Sequence, residues 1–317
     1  MTTQPRIAPG SIVVAVDGSK HAARAVQWAA EQAGLEHRTL VVLHAAGEGD
    51  VRSAAWAGVD MSRSSALPDV LHSARAVVDD AVELAHSIRP SLTIEALPLI
   101  GDPRQVLVDV SPRAHLIVMG SRGRGVFRSM FLGSVSAAVS KHAACPVVVC
   151  RPIPTDVVTQ GVVVGADGAP ESLPVLELAF RQASFRGLQL TVLHCFWDVA
   201  AAVSGVHHEP VDADRQEDLR LLLAEAVAGL SEKYPDVQVN LRLAHGLVDE
   251  ALATLSEQWS VVVVGRHPVR SISRLLTGSL ATAVLERANS TVVIVPEPES
   301  ALKADRDRHP DVDEHGN

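Results

Sequence analysis

The chain has 317 residues, which is enough for about two domains of ordinary size. Hydrophobic residues make up 47% and charged residues 21%, a balance that excludes a disordered chain and predicts a globular one. The net charge is −9 without any long run of Lys and Arg, which excludes partners held by bulk charge, such as nucleic acid or an anionic membrane.

The first half of the sequence alternates short apolar runs with stretches of helical periodicity. A buried strand is predicted at 12–16 and a helix at 20–33, where Ala and Val recur at helical spacing. We also predict strands at 39–44, 92–97, 115–119 and 147–150 and helices at 69–88, 104–110 and 134–142. Strands joined by helices form covered parallel sheets, so the predicted fold class is α/β and Rossmann-like, with five parallel strands. Ligands in such sheets bind beyond the carboxyl ends of the strands.

Several short features predict no chemistry of their own. The cysteines Cys145, Cys150 and Cys195 lie in or beside apolar runs, and their odd number and spacing favour buried side chains over disulfides or zinc. The stretch His207-His208-Glu209 has no partner cluster at ligand spacing, so we predict a solvated loop and no metal site. The N-terminus lacks an apolar segment, and no apolar stretch reaches about 18 residues, so a cytoplasmic protein is expected.

The most informative property of the sequence is an internal duplication. The segment 11–19 matches 161–169, which aligns Asp17 with Asp167. Further matches follow in the same order: 40–44 with 190–194, 116–120 with 261–265, 131–135 with 276–280 and 146–150 with 291–295. We therefore predict a first domain at 1–151, a second domain of the same fold at 152–298 and a disordered tail at 299–317.

A glycine-rich loop follows the fourth predicted strand. It begins with Gly120-Ser-Arg-Gly123 and ends, after nine more residues, with Gly133-Ser134 at the start of a helix. Glycines let backbone N–H groups approach an anion, and a helix N-terminus adds unpaired N–H groups and partial positive charge. Three arginines surround the loop: Arg122, Arg124 and Arg128. The loop is neither a Walker A loop nor a G-x-G-x-x-G fingerprint, but it predicts a site for a polyphosphate.

At these motifs the sequence resembles the ATP-binding type of the universal stress protein family. The loop of that family reads G-x2-G-x9-G-[ST], and this chain has Gly120, Gly123, Gly133 and Ser134 at those positions. Other stretches fit as well: Val16-Asp-Gly-Ser19 after the first strand, Val42-Leu-His-Ala45 in the second and Cys145-Pro-Val-Val-Val149 at the end of the half. The resemblance covers about residues 7–298, and the chain is similar to tandem members from mycobacteria and other actinobacteria.

The resemblance implies an adenine nucleotide alpha hydrolase-like fold and a site for ATP, with Mg²⁺ or Mn²⁺ on its phosphates. Asp17 is implied to lie near the adenine and ribose, with Ala15, Val16 and Ala45 around the base and Gly101 beside the ribose. The phosphates are implied to meet Gly120, Arg122, Gly123, Gly133, Ser134 and Val135. The predicted site also includes their neighbours Met119, Ser121 and Arg124. No catalytic residue and no metal-ligating side chain is predicted.

The second copy departs from this pattern at one glycine. Its predicted site comprises Asp167, Gly246, Gly265, Arg266, Gly278, Ser279 and Leu280. The residue that matches Gly123 is Pro268, which has no N–H and a φ fixed at about −65°. Losing one charge-assisted hydrogen bond costs about 1.5–3 kcal/mol, or roughly ten- to a hundredfold in affinity. We therefore predict an intact first site and an impaired second site. The second site keeps Arg266, Arg270 and Arg274, so binding there is not excluded.

Two residues near the predicted site allow two interpretations each. Asp17 is a ligand group if the resemblance holds, or else an Asx-turn residue before Gly18. His44 ends a buried strand, which favours a packed, hydrogen-bonded core histidine over a functional one. The stretch 46–68 is rich in Ala, Ser and Gly and predicts a loop over the site.

The residues are compatible with three functions. The first is an ATP-binding regulator or sensor in stress response, dormancy or growth control. The second is a slow ATPase or nucleotidyl-transfer enzyme, although no Walker B Asp or catalytic loop is visible. The third is an ATP-independent scaffold for protein interactions. The resemblance also implies a regulatory protein partner, pseudo-twofold packing of the copies through their fifth strands, and a homodimer.

Overall fold

The computed structural model describes residues 6–47, 66–123, 132–152, 161–196, 213–245, 251–252, 259–266 and 280–296. The chain forms two compact units. The first contains Met1–Val157 with Leu285–Ile294, and the second contains Val158–Val284 with Val295–Asn317. The predicted α/β fold class is confirmed, because each unit is built on parallel strands that alternate with helices.

A parallel sheet forms the centre of the first unit. Its strands are β1 Ser11–Ala15, β2 Leu40–Ala46, β3 Ile94–Ile100, β4 Ala114–Gly120 and β5 Val147–Cys150. They lie in the order β3-β2-β1-β4-β5, so β1 pairs with β2 on one side and with β4 on the other. The direction of winding changes between β1 and β4, and a crevice opens there beyond the carboxyl ends of the strands.

Helices flank the sheet of the first unit: α1 Lys20–Glu36, α2 Ala66–Ile88, α3 Pro103–Val110 and α4 Ser134–His142. α1 begins after Ser19, because the Ser19 hydroxyl accepts a hydrogen bond from the Ala22 N–H at 3.1 Å. α3 begins one residue before the predicted start, with Asp102 as the N-cap and Pro103 at the first helical position. α1 packs against α2, and α3 packs against α4.

The core of the first unit is aliphatic. Ile12, Val13 and Val14 in β1 are fully buried, because a parallel sheet that is covered on both faces leaves no side of a strand in water. The facing side of α1 carries small residues, and Ala25 and Ala29 are also fully buried. Small side chains let the helix approach the sheet closely, which explains how a chain with 3% aromatic residues fills its interior.

The second unit repeats this pattern. Its strands are β6 Val162–Gly165, β7 Leu190–Phe196, β8 Val239–His245 and β9 Val261–Gly265. They are parallel and lie in the order β9-β6-β7-β8. A 3-10 turn at Pro170–Ser172 leads into α5 Leu173–Arg186, and α6 Ala213–Lys233 precedes β8. α5 ends where Gly187 takes a φ of +61° and its N–H caps the last turn.

The last helix and strand that the structure describes are α7 Leu280–Arg287 and β10 Thr291–Val295. β10 pairs antiparallel with β5, and Val293 lies opposite Val148. Residues of β10 up to Ile294 therefore belong to the first unit, although the sequence repeat assigns them to the second copy. This pairing covers the edge that β5 would otherwise present to solvent.

Three smaller predictions can be compared with the structure. Cys145 and Cys150 are buried, as predicted, and Cys195 is half-buried; none of the three forms a disulfide. Within the described part of the chain, no helix has both the length and the apolarity needed to cross a bilayer. Most of the loop predicted at 46–68, the His207-His208-Glu209 stretch and the tail lie outside the described residues.

Candidate functional site

The carboxyl ends of β1 to β4 meet around a cavity of about 1030 Å³ in the first unit. Its size is at the upper end of the range that small-molecule sites occupy, about 300–1,000 Å³. Most residues of the predicted first site line it: Ala15, Val16, Asp17, Ala45, Gly101, Met119, Gly120, Arg122, Gly123, Gly133, Ser134 and Val135. Segments far apart in the sequence are therefore brought to one place by the parallel sheet.

Asp17 lies in the turn that joins β1 to α1. Its Oδ1 accepts a hydrogen bond from the Ser19 N–H at 3.0 Å, which defines an Asx turn. Gly18 lies between them with a φ of +75°, a left-handed conformation that glycine adopts without a steric penalty. Asp17 also lines the cavity. The two interpretations of Asp17 are therefore compatible, since one residue forms the turn and lines the cavity.

His44 is buried at the end of β2, with 5% of its surface exposed. Its Nδ1 lies 2.6 Å from the carbonyl oxygen of Val16. A carbonyl oxygen can only accept, so Nδ1 carries the proton of this hydrogen bond. The predicted hydrogen-bonded core histidine is confirmed, and the structure adds that His44 forms part of the cavity wall.

Two glycines of the loop are required by close approach of other atoms. A Cβ on Gly120 would lie 2.7 Å from the carbonyl carbon of His21 in the first turn of α1. A Cβ on Gly123 would lie 2.6 Å from Oδ2 of Asp17. Any larger residue must therefore displace backbone at the first position and the Asp17 carboxylate at the second.

Ser121 and Gly133 join the two ends of the loop. The Gly133 N–H donates to the Ser121 carbonyl oxygen at 2.9 Å, and the Ser136 hydroxyl lies 3.4 Å from the same oxygen. Ser121 is buried and does not belong to the described lining of the cavity. Because the Gly133 N–H is used within the loop, the start of α4 offers an anion the N–H groups of Ser134 and Val135 instead.

Positive charge collects beside the loop although the chain as a whole carries −9. Burial lowers the pKa of His21, and Arg24, Arg122 and Arg151 lower it further, while Asp17 acts in the opposite sense. Burial is also the main reason why the pKa of Arg151 is lowered, with Arg122 as the second cause. Several cations are thus near enough to influence one another, which favours an anionic ligand at this end of the cavity.

Sequence reasoning missed the rim that follows β3. Ile100, Asp102 and Arg104 line the cavity there. Arg104 donates two hydrogen bonds to the Asp102 carboxylate, from Nη2 to Oδ2 at 2.8 Å and from Nε to Oδ1 at 3.0 Å. These hydrogen bonds are the main reason why the pKa of the Asp102 carboxyl is lowered. The other lining residues outside the prediction are Ala22, Leu43, His44, Ala46, Gly47, Pro103, Leu107 and Ser136. For Gly47, Asp102, Pro103 and Arg104 the available signal was their position shortly after a strand of a parallel sheet.

The second predicted site is described only in part. Asp167 repeats the turn of the first unit, because its Oδ1 accepts hydrogen bonds from the Ala169 N–H at 3.0 Å and from the Ser172 hydroxyl. Gly265 ends β9 with Arg266 directly after it, and Leu280 begins α7. Other predicted residues of both sites lie outside the described ones: Arg124, Gly246, Pro268, Gly278 and Ser279. The second site therefore stays a prediction.

The fold and the cavity together define a class of protein, a tandem α/β chain whose parallel sheet carries a glycine-loop cavity at its carboxyl edge. The model of the Universal stress protein family matches residues 10–151 and 159–296 of this chain. The two matches cover most of the sequence, and the chain belongs to the universal stress protein family.

Individual relatives agree with this assignment. Universal stress protein Rv2005c of Mycobacterium tuberculosis is 32% identical over 299 residues, which span 92% of this chain and 98% of that protein. Universal stress protein Rv2623 of the same organism is 32% identical over 301 residues, which span 90% and 96%. The crystal structure of a universal stress protein from Archaeoglobus fulgidus has a TM-score of 0.65 at 19% identity, over 92% of this chain and 97% of that one, and shows the shared fold.

Proposed function

We propose that the first unit binds ATP and that the protein is a nucleotide-dependent regulator in stress response, dormancy or growth control. The observation that carries the proposal is one cavity in which Gly120, Gly123 and Ser134 meet Arg122 and Asp17. A glycine loop and a helix start supply backbone donors for phosphate oxygens, and the arginine supplies charge and further donors. This combination matches a polyphosphate better than it matches an uncharged ligand.

The cavity also has an apolar part of its wall that suits a nucleobase. Val16, Ala45 and Met119 line it and are almost fully buried. Contact of such apolar side chains with the two flat faces of a base stabilises its binding, while the edges of the base can form hydrogen bonds with backbone groups at the strand ends. An adenine nucleotide would therefore extend from this apolar wall towards the glycine loop, with its ribose between Asp17 and Gly101.

A divalent cation is compatible with these residues. Mg²⁺ or Mn²⁺ bound to ATP usually keeps several waters and needs only one or two carboxylates in addition to phosphate oxygens. Asp17 offers such a carboxylate, because its Oδ2 lies beside Gly123 in the loop. When bound, the ion would neutralise phosphate charge, and Asp17 would hold it or its waters. The described residues contain no group of three or more His, Cys, Asp or Glu that could hold a metal without the nucleotide.

The described lining favours binding over catalysis. Its ionisable side chains are Asp17, His44, Asp102, Arg104 and Arg122. Asp17 is used in the Asx turn, His44 donates to Val16, and Asp102 and Arg104 bond to each other. Phosphoryl transfer needs a group that is placed to orient or deprotonate the attacking nucleophile. Most of these side chains already serve the fold, which supports a regulator rather than a slow ATPase.

The first experiment tests nucleotide content and turnover together. The purified full chain is denatured, and the released nucleotide is identified by chromatography. We expect ATP in the supernatant and a raised melting temperature on adding ATP, because a ligand at 100 times its dissociation constant stabilises the bound state by about 2.7 kcal/mol. Absence of both would overturn the proposal and leave the ATP-independent scaffold. Steady release of ADP or nucleotidyl products would favour the enzyme.

A further inference from the structure

Val16, the residue before Asp17, is held by β2 at both of its backbone polar groups. The Val16 N–H donates to the Leu43 carbonyl at 2.9 Å, which continues the ladder between β1 and β2 by one residue. The Val16 carbonyl is held by a side chain, since the Nδ1 of His44 lies 2.6 Å from it. Both bonds are buried, and in low dielectric such bonds resist exchange with water. The last peptide before Asp17 is therefore fixed in orientation.

The held peptide fixes the backbone from which the Asp17 side chain extends. Asp17 is the next residue, its Oδ1 accepts from the Ser19 N–H at 3.0 Å, and its Oδ2 lies 2.6 Å from the place of a Cβ on Gly123. A chain of contacts thus leads from His44 through Val16 and Asp17 to the glycine loop. His44 needs no contact with the ligand to affect how Asp17 meets it.

The second unit contains the same arrangement. The Ala166 N–H donates to the Leu193 carbonyl at 3.0 Å, and the Nδ1 of His194 lies 2.9 Å from the Ala166 carbonyl oxygen. The residue that follows is Asp167, whose Oδ1 accepts from the Ala169 N–H. In each unit, therefore, a histidine side chain donates to the carbonyl of the residue directly before the turn aspartate. The second unit thus provides an internal control for tests on the first.

We propose that His44 is a positioning residue of the nucleotide site, whose Nδ1–H holds the Val16–Asp17 peptide so that the Asp17 carboxylate faces the glycine loop. The proposal rests on the proposed function insofar as the ligand is a nucleotide. It assigns to His44 a donor role at one ring nitrogen. The proposal therefore requires a hydrogen-bond donor at the place of Nδ1, and not the volume or the aromatic ring of histidine.

Two substitutions separate the donor from the volume. In His44→Asn the amide nitrogen is as many bonds from Cα as Nδ1 is, so the hydrogen bond can be kept. In His44→Leu the volume is retained but the donor is lost. We expect His44→Leu to weaken ATP binding at the first site about two- to tenfold, the range for one neutral hydrogen bond, and His44→Asn to restore most of it. A variant with Asn that binds as weakly as the one with Leu would overturn the donor role.

A double-mutant comparison tests whether His44 acts through Asp17. Without the Asp17 side chain there is nothing for His44 to position, so His44→Leu should cost no further affinity in an Asp17→Ala background. Full additivity of the two losses would contradict the proposal. His194→Leu is the matched control, because it removes the same bond from the second unit and should leave ATP affinity at the first site unchanged.

Amide hydrogen exchange in the ligand-free protein tests the arrangement without any nucleotide. The Ser19 N–H is protected by Asp17, and the Ala169 N–H by Asp167. We expect His44→Leu to accelerate exchange at Ser19 only and His194→Leu at Ala169 only, with His44→Asn close to the original protein. Unchanged exchange at Ser19 in His44→Leu would refute the positioning role. If the original protein binds no ATP, the proposed function fails, and this measurement still decides the role of His44.

Discussion

Oδ2 of Asp17 lies 2.6 Å from the point that a Cβ on Gly123 would occupy. The carboxylate after β1 therefore occupies the space that a side chain on the glycine after β4 would need, and a larger residue at Gly123 must displace it. The contact joins the turn before α1 to the glycine loop at the mouth of the cavity. It explains in steric terms why the second position of the loop has no side chain.

Substitution of Gly123 should weaken or abolish ATP binding at the first site without unfolding the unit. In Gly123→Ala the methyl group displaces the Asp17 carboxylate, and in Gly123→Glu a second negative charge also faces the phosphates. We expect about tenfold weaker ATP binding for Ala, and binding too weak to detect by calorimetry for Glu.

Gly229→Ala provides the matched control for these variants. Gly229 lies in α6, where a Cβ would meet nothing within 4 Å. The added methyl group should leave ATP affinity unchanged and slightly raise stability, since Gly in a helix costs roughly 0.5–1 kcal/mol relative to Ala. Equal affinity in Gly123→Ala and Gly229→Ala would count against the proposed site.

Gly120 should respond differently, through stability. A Cβ there would lie 2.7 Å from backbone of His21, which cannot move away as the end of a side chain can. We expect Gly120→Ala to destabilise the first unit by about 1–3 kcal/mol, the usual cost of overpacking. Thermal unfolding of the ligand-free protein measures this. A melting temperature equal to that of the original protein would show that the loop does not lie against α1.

The two arginines in the cavity wall should have unequal effects. Arg122→Gln removes charge beside the glycine loop and should weaken ATP binding roughly ten- to a hundredfold while leaving adenosine binding unchanged. Arg104 is bonded to Asp102, and both side chains are about half exposed, so Arg104→Gln should change ATP affinity less than about fivefold. Calorimetry with ATP and adenosine separates the two. Equal losses for both ligands in Arg122→Gln would contradict a phosphate contact.

His21 gives the first unit a dependence on pH. Its pKa is lowered from 6.5 by burial and by nearby arginines, so the unfolded chain binds the proton more readily than the folded one. The stability that this group contributes is therefore present above pH 6.5 and is lost as the pH falls below that value. When the pH is lowered from about 7.5 to 5.5, the melting temperature of His21→Gln should fall less than that of the original protein. Identical pH profiles would contradict the lowered pKa.

Most elements of the first unit were predictable, and the errors have physical causes. The strand β3 was expected to stop at 97, before Pro98, but it continues to Ile100. β3 is an edge strand, where a proline can leave its missing N–H on the open side. The helix α1 was expected to stop at Ala33, before Gly34, but it continues to Glu36 and ends where His37 takes a left-handed φ of +53°.

Most residues of the predicted first site line one cavity, while the part of its wall after β3 was predicted only at Gly101; that these residues bind a nucleotide stays a prediction. Motif spacing identified Gly120, Gly123 and Ser134, because a glycine loop between a strand and a helix is a local pattern. Contacts such as the one between Asp17 and Gly123 depend on strand order, which spacing does not contain. The repeat alone likewise does not determine that β10 pairs with β5, because similar strands in two copies can pair in several ways; only the family resemblance implied a packing of the fifth strands.

The nucleotide content of the full chain and of Gly123→Glu tests the central claim most directly. Both proteins are purified in the same way, denatured, and assayed for bound nucleotide per chain. The claim predicts ATP with the original protein and its loss from the first site in the variant, while the melting temperature of the ligand-free state stays similar. The same ATP content per chain in both proteins would contradict a first site at the glycine loop.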